Sequence, residues 1–437
     1  ARHLSDDACA TNHQANARRF AKILALVLSL TGAFVSTPAQ LVLNPNQTPK
    51  SAEFAIETWR TDNGLPQNTI TAVLQTRQGY IWAGTYNGIA QFDGLRFTIF
   101  DSSHSSGLTN SRVTSLHEDS RGDVWIGHDT GEVSQHSNGN FRNIKMAAAW
   151  SRIPIKDFAE DERGDLWALN QLGEAVRLRD QHIAQPSALM RESPFVNPRV
   201  TTDSQRRAYV ARNGVVMRLT SEGYVPVNFG DPSARPYYAG LAPARDGTIW
   251  VAGEGKLRKW NGTNWSAEVA DFSWFDVSVT TMLELSSGRV VVGTLQRGLF
   301  IFDPTTGWFY LNRTNGLPQD WGCSLTEDRE KNLWVGTSGG LALLRERKVR
   351  MYSPPDDWQG RPVYSITRAG DGTVWAATEG AGLYRFDGAN WQHYGVEQGL
   401  ANPFVWSVFE DSQRQIWAGT WGGGLFRLEQ NRFVAQT

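Results

Sequence analysis

The apolar positions of this chain fall in short alternating segments that are separated by turns rich in glycine and aspartate. Such alternation is typical of β-strands, and no long amphipathic helical pattern interrupts it. The clearest segment, Gly79–Thr85, reads Gly-Tyr-Ile-Trp-Ala-Gly-Thr and recurs with Trp at its centre, or with Tyr209 or Val291 in two weaker copies. The central positions, 41 to 43 residues apart, are Trp82, Trp125, Trp167, Tyr209, Trp250, Val291, Trp334, Trp375 and Trp417.

Each repeat predicts four strands. In the second repeat we expect an inner strand at Val113–His117, a turn at Glu118–Gly122, and further strands at Val124–Gly127, Val133–His136 and Phe141–Ile144. Four-stranded units with a period of about 42 residues are typical of the blades of a β-propeller. One such sheet cannot bury both faces alone, so neighbouring blades must cover each other. We therefore expect the nine central side chains to be core between blades, with each indole N–H bonded inside the fold.

Nine copies are more than the four to eight blades of most propellers. Phe54–Trp59 precedes the first inner strand and is placed to close a ring by pairing with a later blade. We therefore favour an all-β fold with a seven-bladed ring at 53–346, followed by two blades of a second ring at 347–437. One closed ring of eight or nine blades over 53–437 is the alternative.

The N-terminal region has the composition of an export signal. Arg18, Arg19 and Lys22 precede the apolar run Ile23–Val35, and Ser36–Gln40 resembles a cleavage site. Residues 1–39 thus predict a signal peptide, with an uncleaved anchor as the alternative. Residues 40–52 form a linker, and the chain is expected to be part of a longer protein.

Composition narrows the function classes. The 437 residues include 42 glycines and 18 tryptophans, with a net charge of −1 and two cysteines, Cys9 and Cys323. No basic cluster suggests a nucleic-acid partner, and two cysteines cannot form a disulfide framework.

Several segments resemble the two-component regulator propeller family. They are Asp62–Asn68, Ile81–Ile89 and Phe92–Gly94, then Asn315–Asp320 with Leu333–Thr337, and Thr373–Thr378 with Gly382–Gly388. The resemblance implies the periplasmic sensing region of a membrane-bound hybrid histidine kinase or diguanylate cyclase. It also implies C-terminal signalling domains of the same protein as partners. In several members of the family the signal is an oligosaccharide.

Catalytic chemistry is weakly indicated. Gly336–Gly340 matches a Gly-x-Ser-x-Gly nucleophile elbow, but it aligns with turns between strands instead of a strand-to-helix turn. The acidic pair Glu118-Asp119 recurs in the same turn of other repeats, which favours a structural role over a pair of glycosidase carboxylates. We expect no catalytic residue, metal site or cofactor in this region.

A binding face is better supported. Loops that lead into inner strands, and loops between second and third strands, should surround the axis on one face. The candidate ligand-binding residues there are Asn68, Tyr86, Asn87, Arg112, His128, Asp129, Trp274, Trp321 and Trp421. Trp406 lies within an inner strand, so we expect it in the core. Aromatic faces among polar groups suit an oligosaccharide or another polar small molecule; a propeller enzyme and a protein-interaction scaffold are alternatives, and a homodimer remains open.

Overall fold

The fold is built from nine four-stranded antiparallel sheets, which confirms the predicted fold class. This computed structural model describes residues 53–184, 199–212, 215–227, 238–253, 256–266, 270–271, 279–347, 355, 358 and 360–436. The chain divides into two compact units, Ala1–Arg347 and Lys348–Thr437. The predicted signal peptide and linker lie outside the described residues.

The strands follow the predicted order of inner, second, third and outer strand, and we number the sheets along the chain as blades 1 to 9. Blades 1 to 3 contain β2 (Ile70–Gln75), β3 (Ile81–Thr85), β4 (Gly88–Phe92) and β5 (Phe97–Phe100); β6 (Val113–Glu118), β7 (Val124–His128), β8 (Val133–Ser137) and β9 (Asn140–Ile144); and β10 (Ile155–Glu160), β11 (Leu166–Asn170), β12 (Ala175–Arg177) and β13 (His182–Ala184). Blades 4 to 6 contain β14 (Arg199–Thr202), β15 (Ala208–Arg212), β16 (Val215–Thr220) and β17 (Gly223–Pro226); β18 (Tyr238–Pro243), β19 (Ile249–Gly253), β20 (Lys256–Trp260) and β21 (Ala270–Asp271); and β22 (Val279–Glu284), β23 (Val290–Thr294), β24 (Leu299–Asp303) and β25 (Gly307–Leu311).

Blade 7 is assembled from two distant parts of the chain. It contains β26 (Gly322–Glu327), β27 (Leu333–Thr337), β28 (Gly340–Glu346) and, as its outer strand, β1 (Phe54–Trp59). β1 runs antiparallel to β28, with Phe54 opposite Glu346 and Trp59 opposite Leu341. The inner strands of blades 1 to 7 contact one another in sequence, and β26 contacts β2. The first unit is therefore a closed seven-bladed ring.

The second unit contains blades 8 and 9. Their strands are β29 (Val363–Arg368), β30 (Val374–Thr378), β31 (Leu383–Phe386) and β32 (Trp391–Tyr394), and then β33 (Val405–Glu410), β34 (Ile416–Thr420), β35 (Gly424–Glu429) and β36 (Arg432–Gln436). Short 3-10 turns at Thr61–Asn63, Arg313–Asn315 and Val396–Gln398 precede inner strands in both units. Each of these turns ends at a glycine with positive φ, such as Gly64 at 99°, and the next residue, such as Leu65, is buried.

In blades 1 to 8 the central side chain of the repeat packs against the following blade. Trp82 of blade 1 joins the core cluster that contains Val113 and Ile126 of blade 2. Trp334 of blade 7 packs with Ile70 and other residues of blade 1. The same side chains are buried in every blade except the ninth, where Trp417 is half-buried. The repeated aromatic residue thus covers the flank of the next sheet.

The two residues of the recurring acidic pair have separate structural roles. Asp119 accepts a hydrogen bond of 2.9 Å from the indole Nε1 of Trp125 in its own blade. Glu118 accepts one of 3.0 Å from the backbone N–H of Arg77 in the preceding blade. Equivalent indole bonds join Trp167 to Asp161, Trp334 to Asp328 and Trp417 to Asp411. The aspartate therefore supports its own blade, and the glutamate ties neighbouring blades together.

Candidate functional site

Three of the predicted ligand-binding residues meet on the face of the ring where the inner strands begin. Arg112, on the loop into β6, pairs through Nε with the Asp129 carboxylate. Its guanidinium carbon also lies 4.7 Å from the centre of the Tyr86 ring. Asn110 stabilises the position of Asp129 in this ion pair, because its Nδ2 donates a hydrogen bond of 3.3 Å to Asp129 Oδ1. We call Tyr86, Arg112 and Asp129 the mouth cluster.

The mouth cluster combines an aromatic ring, a cation and a carboxylate. Burial raises the pKa of Tyr86, with a further contribution from nearby Cys323, so its hydroxyl is protonated at neutral pH. The hydrogen bond to Asp129 raises the pKa of Arg112. The Arg112 side chain is about half exposed, so its planar face can be reached from solvent. Such a mixed surface suits hydrogen bonding and stacking with a polar ligand.

Asn68 and Asn87 shape loops. The Asn68 side-chain oxygen accepts a hydrogen bond of 2.9 Å from the backbone N–H of Thr61. Asn87 Nδ2 donates to the Pro66 carbonyl at 3.2 Å. Both amides therefore fix loops beside the mouth cluster, and Asn87 remains exposed.

The prediction that His128 contacts ligand is wrong. Its side chain is fully buried, and its Nε2 lies 2.8 Å from Ser134 Oγ. Burial lowers the pKa of His128 to about 4, so the ring is neutral at physiological pH. His128 ends β7 as Thr85 ends β3 and Thr337 ends β27, where the threonine hydroxyl bonds to the following hairpin. Alignment of the repeats could have shown that this position belongs to the core.

The predicted tryptophans differ in their surroundings. Trp321 is 43% exposed on the loop into β26, and its carbonyl accepts a hydrogen bond from Ser338 N. Trp421 is 60% exposed in the second unit. The expectation that Trp406 is core is wrong, since half of its side chain is exposed at the start of β33. Trp274 lies outside the described residues.

Trp406 and Trp421 belong to a row of three exposed rings, which we call the aromatic platform. Their ring centres are 4.8 Å apart, and Tyr364 continues the row at 5.4 Å from Trp406. Asn402 donates to the Trp421 carbonyl at 2.7 Å and holds its loop. Partial burial raises the pKa of Tyr364, and a hydrogen bond with Glu379 raises it further. The Glu379 carboxylate therefore lies at the edge of the row of rings.

The channel of the first unit holds charged residues that sequence analysis missed. A cavity of about 200 Å³ is lined by the inner strands of all seven blades and includes Lys156, Asp157 and Arg199. Arg199 of blade 4 reaches across this channel, with Nε 2.9 Å from the Thr280 carbonyl and Nη2 3.3 Å from the Cys323 carbonyl. Burial raises the pKa of the Cys323 thiol to about 12, so the thiolate does not form at neutral pH.

The segment that matches the nucleophile-elbow motif forms a turn between two strands. Ser338 lies in the turn between β27 and β28, and its carbonyl accepts a hydrogen bond from Thr69. The described residues bring no three His, Cys, Asp or Glu side chains into a group able to hold a metal ion. In the same part of the chain, no helix is long and apolar enough to cross a membrane.

A family model matches three of the nine repeats. The model described as two component regulator propeller matches residues 64–87, 107–130 and 399–422, each beginning at a Gly-Leu pair and ending in the loop after the second strand. The chain carries two-component regulator propeller repeats. Blades 1, 2 and 9 thus contain the matched copies. No curated protein sequence matches the chain.

Solved structures with a fold similar to that of this chain include extracellular domains of putative bacterial signalling systems. That of a putative hybrid two-component system from B. thetaiotaomicron has a TM-score of 0.61 at 16% identity, covering 88% of this chain and 54% of that one. A putative one-component system from the same organism gives 0.52 at 18% identity, with coverage of 88% and 53%. This chain therefore spans about half the length of those domains.

An enzyme also shares the propeller fold. Virginiamycin B lyase from Staphylococcus aureus has a TM-score of 0.53 at 14% identity, covering 68% of this chain and all of that one. At such low identities the likeness to these regulator and lyase structures concerns the fold alone.

Proposed function

We propose that this region is the exported, ligand-sensing part of a signal-transduction protein, and that it binds its ligand without catalysis. The match of three repeats to the two-component regulator propeller model is the observation that carries the signalling role. The likeness in fold to extracellular domains of two-component systems supports a position outside the cytoplasm. Signalling domains of the same protein would be its partners, and the output could then respond to ligand bound by the propeller.

The proposed ligand is an oligosaccharide or another polar small molecule. Binding sites for such molecules combine aromatic surfaces with a few polar groups that fix orientation. The aromatic platform offers Tyr364, Trp406 and Trp421, which are 45%, 50% and 60% exposed, and Glu379 lies at its edge. The mouth cluster offers a ring, a cation and a carboxylate in the other unit. Each unit thus supplies a surface on which a sugar ring could stack and form hydrogen bonds.

The platform makes this proposal testable by substitution. Trp421→Ala should weaken oligosaccharide binding by a factor of about 30, since truncating an aromatic anchor commonly costs about 2 kcal/mol. Titration calorimetry with the full chain and a panel of neutral and acidic oligosaccharides measures the change. Phe409→Ala is the matched control, because Phe409 is 46% exposed on the same strand as Trp406 but stacks on Trp417. Equal loss in both variants would count against the platform.

A further inference from the structure

The inner strands of several blades have a β-bulge at their second residue, and in blade 3 that residue is Lys156 instead of threonine. In blades 1 and 2 this position holds Thr71 and Thr114, whose hydroxyls donate to carbonyls of the next blade at 2.9 and 2.6 Å. Thr280 makes the equivalent bond in blade 6. Lys156 occupies the position in blade 3 and makes no hydrogen bond or ion pair with any described residue. The lysine therefore places an ammonium in the channel where other blades place an inter-blade hydroxyl.

Arg199 supplies a second cation beside Lys156. Its two described hydrogen bonds go to the carbonyls of Thr280 and Cys323, which are neutral acceptors and leave the guanidinium charge in place. Burial lowers the pKa of Lys156, and the nearby guanidinium of Arg199 lowers it further. The two positive charges are therefore close enough to affect each other. Both side chains keep part of their surface open to the cavity.

One carboxylate faces these two cations. Asp157 is the sole acidic residue among the described residues that line the cavity. Its carboxylate accepts hydrogen bonds from Val200 N at 3.2 Å and Phe158 N at 3.0 Å. Burial raises the pKa of Asp157 despite the nearby Arg199, so the ionised carboxylate is less favourable here than in water. The channel thus carries an excess of positive charge.

We infer that the channel of the first unit is a subsite for an anionic group of the ligand: a carboxylate, sulfate or phosphate. This inference rests on the proposed ligand-binding function and narrows the ligand to an acidic one. A cavity of about 200 Å³ is smaller than the pockets of roughly 300 to 1,000 Å³ that enclose whole ligands, so it suits one charged group. An arginine fork and a lysine ammonium are the donors that proteins use for such groups.

Lys156→Thr tests the subsite, because it installs the residue type found at the same position in blades 1, 2 and 6. It should weaken binding of an acidic probe by about tenfold or more, as expected when a hydrogen bond to a charged group is lost. Lys156→Arg should retain binding. Lys145→Thr is the control, since it makes the same charge change at an exposed position outside the cavity lining.

Four probes separate the possible sources of the anion: a uronic-acid trisaccharide, a sulfated disaccharide, inorganic phosphate and an uncharged trisaccharide, each titrated into the full chain. Dependence of any acidic probe on Lys156 supports the subsite and names its chemistry. Equal binding of all acidic probes by the wild-type chain and Lys156→Thr, or binding of the uncharged sugar alone, would overturn the subsite and leave the sensing function standing. Phosphate binding that depends on Lys156, without any oligosaccharide binding, would support the subsite and count against an oligosaccharide as the sensed ligand. Failure of every probe to bind would overturn both.

Discussion

An aspartate six residues before the central tryptophan decides whether the buried indole has a partner. Trp125, Trp167, Trp334 and Trp417 each donate to such an aspartate at 2.7 to 2.9 Å. In other repeats the aspartate is replaced, by Thr76 before Trp82, Ala244 before Trp250 and Ala369 before Trp375. The indole Nε1 atoms of these three have no partner among the described residues. Because an unsatisfied buried donor costs free energy, one sequence position tunes the stability of each blade.

Asp119→Ala should lower the free energy of unfolding of the ring by about 1 to 3 kcal/mol at pH 7. The change removes the acceptor for the Trp125 indole and for the backbone N–H groups of Arg121 and Asp123. Denaturant unfolding monitored by tryptophan fluorescence measures it, with the exposed Asp62→Ala as control. Equal unfolding midpoints for Asp119→Ala and the wild-type chain would contradict this role.

The effect of Asp119 should depend on pH. Burial opposes ionisation of Asp119, but the hydrogen bonds from Trp125 and the backbone outweigh it and lower the pKa. A pKa that is lower in the folded state stabilises the fold above the unfolded value of about 3.9, and this contribution is lost as the pH falls through the folded value. The difference between Asp119→Ala and the wild-type chain should therefore shrink below about pH 4.

Thr76→Asp should make the ring more stable, by about 1 kcal/mol. Thr76 begins the same turn as Asp119, with its N–H bonded to the Tyr80 carbonyl as Asp119 N is bonded to the Asp123 carbonyl. An aspartate there can accept from the Trp82 indole, which is buried and has no hydrogen-bond partner in the described part of the chain. A higher thermal midpoint is the expected result, and a lower midpoint would show that this turn cannot place a carboxylate beside the indole.

At the scale of the element, β1 is the strand on which closure of the ring depends. It supplies the outer edge of blade 7, and Trp59 stacks on Trp334 with ring centres 5.3 Å apart. Hydrogen bonds from the ends of the inner strands to neighbouring blades add to this closure. Glu327 accepts from Ser286 N at 2.8 Å, and Gln75 accepts from Arg329 N at 2.9 Å across the junction of blades 7 and 1.

Removal of residues 1–60 should destabilise the first unit strongly, because the loss of β1 exposes the edge of β28 and part of the core around Trp334. Removal of residues 1–52, which leaves β1 in place, is the control. Thermal unfolding and hydrogen exchange at blades 1 and 7 distinguish the two shortened chains. Equal protection in both would mean that β1 is dispensable.

The elements could be predicted because their pattern repeats, whereas much of the site could not. Trp82 and its counterparts show the period directly, since each covers the next blade in the same way. Lys156 and Arg199 gave no signal, because their meeting depends on a β-bulge and on which blades face one another across the channel. His128 and Trp406 were misjudged since each departs from the residue type usual at its repeat position, and burial there is set by the neighbours.

At the scale of the whole molecule, repetition provides the framework and departures from it provide the candidate chemistry. The recurring aspartates and glutamates form hydrogen bonds within the fold, whereas the mouth cluster, Lys156 and the aromatic platform lie on loops or at bulges open to solvent. This separation of roles is what a binding protein built on a rigid scaffold requires. We therefore propose that recognition takes place on the faces where the inner strands begin.

The central claim is that this propeller binds a polar ligand without converting it. The most direct measurement titrates the full chain with a panel of oligosaccharides in a calorimeter and analyses the same mixtures for products. We predict saturable binding of at least one oligosaccharide, which is recovered unchanged. Conversion of the sugar, or no binding by any member of the panel, would contradict the account.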